Sequence, residues 1–474
     1  MAENGLYDVL RMGLSSLRSQ SRAIETVGRN MANVNNPTYA RQRVIFGDVS
    51  PTGGASVGVD VIEVQQVRDA LLDRQVVREK SSAAALEAES AAYERGEAAM
   101  GETISNVSDP SLASTTGGNS LTNAMAGFFG AARQLSADPT NSTQKQMFVQ
   151  TAKTMTERFQ FSNDRLAEVQ SDLSDQVSND VDKANLLLTT IRDLNLMIAS
   201  QESDTGTKAL TLRDQRQARV EDLAQVMNFK TTTLPDAPNQ IQITATSAAG
   251  VDTVILSAGT TLETLAFRPE RATVSIASSD TALALTGGSI KGHLTARDGA
   301  LQTLRDSLDL LAQQMVTSVN AVYNPGGAGQ NFFDPAGTDA GSIQLASGLS
   351  GLNVRATVAG GAAGDGSVAQ AISELDIQSF SSTTGDAIDG TMGESYSAAI
   401  SLFSYSLSQS RMQHENQTGV LSAVRGQRES MSGVSLDEEA AELMKFQRAY
   451  QASARVISVI DQMLDIVVNS MGRN

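Results

Sequence analysis

Residues able to do chemistry are scarce in this chain of 474 amino acids. Its two histidines, His293 and His414, cannot supply a multi-histidine metal site, and the absence of cysteine removes thiolate ligands, thiol nucleophiles and disulfides. No phosphate-binding loop, dinucleotide fingerprint, HExxH or GxSxG occurs. The glycine runs near 326 and 360 lack a following Lys-Ser/Thr and read as loops. His293 stands at the start of a helical pattern and His414 on a polar helical stretch, so each reads as a surface or capping residue. Carboxylates are plentiful, but on long helical patterns their ordinary place is a solvated face. The expectation is therefore a protein with no catalytic, cofactor-binding or metal residues, and with no cofactor.

What remains is chemistry of assembly, and composition points the same way. The formal net charge of −17 opposes binding to a phosphate backbone, so nucleic acid is not expected as a partner. No run of about 18 apolar residues exists, which argues against membrane insertion. The first twenty residues lack a basic start with an unbroken apolar core, so the chain is expected to be cytosolic or exported without a cleavable signal peptide. Low aromatic content, at 4%, with charge at 19%, suggests long helices and polar β-layers in place of one dense core.

The two ends carry the sharpest patterns. Leu6, Leu10, Leu14, Leu17, Ile24, Val27, Met31 and Val34 are mostly three or four residues apart and draw a narrow helical stripe, which Asn36-Pro37 ends. At the other end Leu443, Phe446, Tyr450, Ser453, Ile457, Ile460, Leu464, Val467 and Met471 keep the same steps, after a Ser435-Leu-Asp-Glu438 sequence that fits a capping box. Stripes this narrow cover one partner helix, and antiparallel pairing of the two ends is expected if both leave one body. They could instead close an ordinary intramolecular bundle. A third reading is a membrane-surface helix at the N-terminus, which carries Arg11, Arg18, Arg22 and Arg29.

Between the ends, residues 39–67 read as short strands and 69–101 as a helix. No Gly or Pro occurs from Asn141 to Thr205, a stretch that would be about 100 Å long as one helix. Thr, Val and Ile separated by turn residues mark a small β-unit over 231–288, inserted into a helical body that resumes at Leu294. The organisation expected is a terminal coiled-coil domain of 1–40 with 435–474. A helical middle domain would comprise 41–230, 289–334 and 391–434, with a β-rich outer domain at 231–288. Residues 335–390 would form Gly-rich loops or a second part of the outer lobe. The fold class is α+β: elongated and multi-domain, with long helices, terminal coiled-coil helices and inserted β-rich lobes.

The run Asn30-Met-Ala-Asn-Val-Asn-Asn-Pro-Thr-Tyr-Ala-Arg-Gln42 resembles the signature that follows the first helix in bacterial flagellar axial proteins. The C-terminal SGVSLDEEAAELMKFQRAYQASARVISVIDQMLDIVVN resembles the matching end motif. Within that family the interior is similar to the hook-associated protein 1 branch, in FFGAARQLSADPTNSTQKQMFVQTAKTMTERF, LRDQRQARVEDLAQVMNF and GGSIKGHLTARDGALQTLRDSLDLLAQQMVTSVNAVYN. One departure is that the family commonly has Gly near the position of Thr38.

The resemblance implies a structural subunit of the bacterial flagellum, extracellular at the hook–filament junction, assembled after type III export. Hook or distal rod subunit is the alternative, and a flagellum-borne cell-wall hydrolase a more remote one. The partners implied are copies of itself, the hook protein, the second junction protein (hook-associated protein 3) and a cytoplasmic export chaperone holding the C-terminal helix. The implied motif residues are Asn30, Asn33, Asn36, Tyr39, Arg41 and Gln42. The implied assembly interface is Leu10, Leu17, Ile24, Val27, Met31 and Val34 with Leu443, Phe446, Tyr450, Ile457, Ile460, Leu464 and Val467.

Overall fold

The structure is a computed structural model that describes residues 2–48, 58–100, 120–205, 207–258, 261–327, 329–358, 361–362 and 364–471. The longest element is α4 (Ser142–Thr205), a single helix of 64 residues. Asn141 caps its start, accepting the Thr143 N–H at 2.9 Å, and the absence of Gly and Pro lets it run unbroken. Its buried face serves two cores in succession. Phe148, Met155, Phe159, Leu166 and Leu173 enter the first, and Val177, Val181, Leu188 and Ile191 the second.

The first core is helical. Around the front half of α4 lie α2 (Ala70–Met100), α3 (Leu121–Ala137), α7 (Ala300–Tyr323), α8 (Ser367–Glu374) and α9 (Met392–Ser432). Phe128, Phe148 and Phe332 pack ring to ring at its centre, with centroids 5.0 to 5.8 Å apart. Phe332 and Phe333 come from the Gly-rich stretch, and Ile343, Val354 and Phe380 further along it are buried in the same core. The described residues of 335–390 thus lie against the helical body, irregular apart from α8 and a short 3-10 turn.

The second core joins α5 (Leu210–Val226) and α6 (Ser289–Asp298) to the β-unit. There β3 (Lys230–Leu234), β4 (Ala237–Thr246) and β5 (Asp252–Leu256) form one antiparallel sheet. A second comprises β6 (Leu265–Arg268), β7 (Thr273–Ile276) and β8 (Thr281–Ala282). Two asparagines on α4 hold the lobe by its backbone. Asn185 takes both the N–H and the carbonyl of Leu265 at 2.9 Å, and the fully buried Asn195 does the same for Ile241 at 3.3 and 2.8 Å. Each side-chain amide acts as one more rung of a strand ladder, leaving no buried backbone group of that residue unmet.

Close approach of α2 and α6 depends on Gly292. A Cβ there would stand 2.1 Å from the Ala85 carbonyl oxygen, a backbone atom that cannot rotate away. Gly292→Ala is expected to force the helices apart and cost at least about 1–3 kcal/mol, measurable as a lower urea midpoint.

Two expectations need correction. His293 is not a surface or capping residue: it is buried within α6, its Nε2 3.7 Å from Asp180 Oδ2 and its Nδ1 unbonded. Burial, aided by Arg95 and opposed by Asp180, holds its pKa below the ordinary value. The folded chain therefore resists a proton that the unfolded chain accepts. Stability from this site is complete above the ordinary histidine range, near 6.5, and declines as pH falls below it. His293→Leu should lose less Tm than the wild-type chain between pH 7 and pH 5. An equal loss in both would remove His293 as the cause.

The second correction concerns the capping box at Ser435. Ser435 Oγ is 3.5 Å from the Glu438 N–H, and the Glu438 carboxylate does not reach back but binds Arg41. A complete capping box instead opens α9, where Thr391 Oγ1 accepts the Glu394 N–H and Glu394 accepts the Thr391 N–H. It starts the helix at Met392.

Candidate assembly interface

The terminal helices α1 (Ala2–Ala32) and α10 (Leu436–Met471) pair antiparallel. Ser16 meets Ser453 at 2.8 Å near one end, and Asn30 meets Glu439 at 2.9 Å near the other. Small residues set the closest points: a Cβ on Gly13 would come within 2.8 Å of Ile457, and Ala23 is fully buried. Gly13, Ser16, Ser19 and Ala23 recur at steps of three or four. That small-residue repeat was the available signal, which a search for large apolar residues passes over.

Among the seam residues, Val27 and Ile460 are buried, each 2% exposed. Leu10, Leu17, Ile24, Met31, Val34, Leu443, Phe446, Ile457 and Leu464 are half-buried. Tyr450 is 41% exposed, and the Val467 side chain lies outside the described residues. Phe446 turns to the hairpin of β1 (Gln42–Asp48) and β2 (Val59–Gln66), its ring centroid 6.0 Å from that of Phe46. The same hairpin is tied to α1 by the Ser15 and Ser19 hydroxyls, which both donate to the Val59 carbonyl.

A second apolar stripe runs down α10 on the side away from α1. Val456, Val459, Met463 and Ile466, again at steps of three or four, are between 44% and 68% exposed. Sequence reading missed it because the stripe that pairs with α1 accounts for the periodicity by itself.

Where the paired helices join the body, the motif residues form a buried polar clamp. Asn30 is fully satisfied. Its Nδ2 donates to the Gln42 carbonyl and to Glu439 Oε2, both at 2.9 Å, and its Oδ1 accepts from the Gln42 N–H at 2.9 Å and the Tyr39 hydroxyl at 2.8 Å. Glu439, wholly buried at the start of α10, also accepts from Arg41 Nε at 2.7 Å, while the Arg41 Nη1 reaches Glu438 at 2.6 Å. Burial works against the Arg41 charge, but the two glutamates prevail and raise its pKa above the ordinary value. Burial and the Asp214 carboxylate push the Tyr39 hydroxyl well above its ordinary range, so it stays a donor.

The Asn36-Pro37-Thr38 turn is gripped from the body. Arg428 of α9 donates to the Pro37 carbonyl at 3.0 Å, and Arg68 donates to the Thr38 carbonyl at 2.9 Å. Arg68 also bonds Asp73 and Asp214, and Arg428 bonds Glu221, so α2, α5 and α9 all hold the turn. Burial raises the Asp214 pKa against the pull of Arg68, and burial lowers that of Lys80 against the pull of Glu221. Asn36 closes the turn locally, its Oδ1 accepting from the Thr38 N–H and hydroxyl, and the Asn33 side chain donates to the Arg29 carbonyl. Thr38 does not have a positive φ, which explains how this turn dispenses with glycine. Glu438, Glu439, Arg68, Asp73, Asp214, Glu221 and Arg428 are the clamp residues that sequence reading missed.

A family model described as the flagellar hook-associated protein FlgK helical domain matches residues 110–333, and one for the flagellar basal body rod FlgEFG protein C-terminal matches 426–471. Flagellar hook-associated protein 1 of Bacillus subtilis (strain 168) is 26% identical over 97% of this chain and 98% of its own length. The chain is thus similar to the flagellar hook-associated protein FlgK family, by a helical-domain match over 110–333 and by relatives named flagellar hook-associated protein 1 along nearly its whole length. Flagellar hook-associated protein 1 of Escherichia coli (strain K12) is 23% identical over 98% of this chain and all of its own. A solved structure, of the flagellar hook junction protein FlgK from Burkholderia pseudomallei, aligns at 19% identity with a TM-score of 0.44, covering 55% of this chain and 46% of that one. The family is one of structural flagellar proteins. The α+β class expected from sequence holds: long helices with small antiparallel sheets in an elongated chain.

Proposed function

We propose that this chain is the structural subunit that joins the flagellar hook to the filament, assembling through the α1/α10 arm. The observation that carries the reading is the exposed stripe Val456, Val459, Met463 and Ile466 in a chain that aligns along 98% of a relative named flagellar hook-associated protein 1. Apolar rows of this kind on a paired helix call for further helices beside them. Copies of this chain supply those within a layer, while the hook protein and hook-associated protein 3 take the faces above and below.

The arm of 1–40 with 435–474 lies toward the tube axis, the helical body outside it, and the β-rich lobe of 231–288 outermost. The subunit acts outside the cell, without enzymatic activity, after export. No helix among the described residues is long and apolar enough to cross a membrane. Before export, a chaperone covering the stripe on α10 would keep it from premature association. Deleting the gene in a motile host tests the reading. Hooks without filaments, with filament protein lost to the medium, are expected; loss of the hook itself would move the chain to hook or rod.

A further inference from the structure

The exposed faces of α1 and α4 carry rows of charges of opposite sign at similar intervals. On α1, Arg11, Arg18, Arg22 and Arg29 are all exposed and fall at offsets of 7, 4 and 7 residues, which places them on one face. Arg29 is paired with Glu25, but Arg11, Arg18 and Arg22 make no ion pair with a described residue. On α4, Asp164, Asp172, Asp175 and Asp182 are exposed at offsets of 8, 3 and 7, also on one face, and none of them is in an ion pair with a described residue. Of the other charges on α4, Lys153 pairs with Glu157 and Arg165 with Glu168, while Lys183 beside Asp182 is exposed with no ion pair to a described residue. Each row spans about 27 Å of helix at about 1.5 Å per residue.

We infer that the arginine row of α1 docks on the aspartate row of α4 in a second copy of this chain, as a subunit-to-subunit contact of the assembled layer. This inference rests on the assembly reading above. Within one chain, α1 lies against β1, β2 and α10, so its arginines are not engaged by its own aspartate row. The two surfaces differ, so the contact is heterologous: each copy offers one row and receives the other. Such contacts propagate into a ring or helical layer instead of closing as a dimer. Exposed pairs are individually weak, and a matched row of four acts chiefly on register and rate of docking, with sensitivity to salt.

The chain has no cysteine, so introduced pairs report cleanly. Flagella are isolated from cells producing full-length Arg22→Cys/Asp172→Cys or Arg22→Cys/Asp175→Cys, oxidised, and compared with Arg22→Cys/Asp236→Cys, which places the second cysteine in the outer lobe. One of the first two pairs is expected to give cross-linked multimers, at least tenfold above the control. Cross-linking through Asp172 means antiparallel helices, and through Asp175 parallel ones. As a second reading, Arg18→Glu/Arg22→Glu should lower filament attachment at least tenfold, and adding Asp172→Arg/Asp175→Arg should restore it. Filaments attached to hooks with neither pair cross-linked would overturn the inference and leave the assembly reading intact. Absence of the wild-type chain from the hook–filament boundary by immunolabelling would overturn both.

Discussion

Asn30→Ala is expected to cost the chain about 3–5 kcal/mol, near the upper end for a single substitution. The side chain is 1% exposed and closes four hydrogen bonds, so its loss strands the Gln42 N–H and carbonyl, the Tyr39 hydroxyl and one acceptor site of buried Glu439. Each stranded neutral group costs about 1–3 kcal/mol if it stays dry, and water entering the gap recovers part of the total. Asn33→Ala is the control from the same motif: its side-chain amide returns to Arg29 one turn earlier, in an exposed setting, and about 0.5 kcal/mol or less is expected. Urea unfolding of the three purified proteins distinguishes the two asparagines. Equal midpoints for the two variants would mean that the clamp does not hold the arm to the body.

The second large effect separates two neighbours on α10. Ile460 is 2% exposed in the arm, whereas Val459 is 53% exposed on the outer stripe. Ile460→Asp places an unpaired charge in the seam and is expected to cost more than about 3 kcal/mol, releasing α10 from α1. Val459→Asp should leave unfolding of the isolated chain within about 0.5 kcal/mol of wild type. In cells it should nevertheless remove filaments from hooks, because the charge faces the next helix of the assembly. The pair is read by urea unfolding and by electron microscopy of the cell surface. Normal filaments with Val459→Asp would take the outer stripe out of the interface.

These two experiments bear on features that differed in how far sequence reached them. The helix over 142–205 is legible because nothing in that stretch breaks a helix and its apolar spacing never lapses. The β-unit shows in the abrupt run of Thr, Val and Ile after residue 230, and the arm in its stripes. The clamp is not legible. Asn30 and Glu439 are 409 residues apart, and Arg428 finds Pro37 across 391, so no local pattern links them. Resemblance to the axial family marks Asn30, Tyr39, Arg41 and Gln42, yet it is silent on the carboxylates and arginines that hold them. Asn185 and Asn195 escape notice for a related reason: nothing in a polar residue on a long helix shows that a strand will arrive to use it. His293 and Phe332 are buried by elements distant in sequence, which makes a lone histidine look like a surface residue and a Gly-rich stretch like a free loop.

Electron cryo-microscopy of the hook–filament boundary in isolated flagella tests the central claim most directly. The account predicts a discrete layer of this chain at that boundary, with α1 and α10 nearest the axis, Val459 and Met463 against helices of neighbouring subunits, and the β-unit of 231–288 outermost. A boundary without this chain, or a layer in which the arm faces solvent and the β-unit lines the channel, would contradict it.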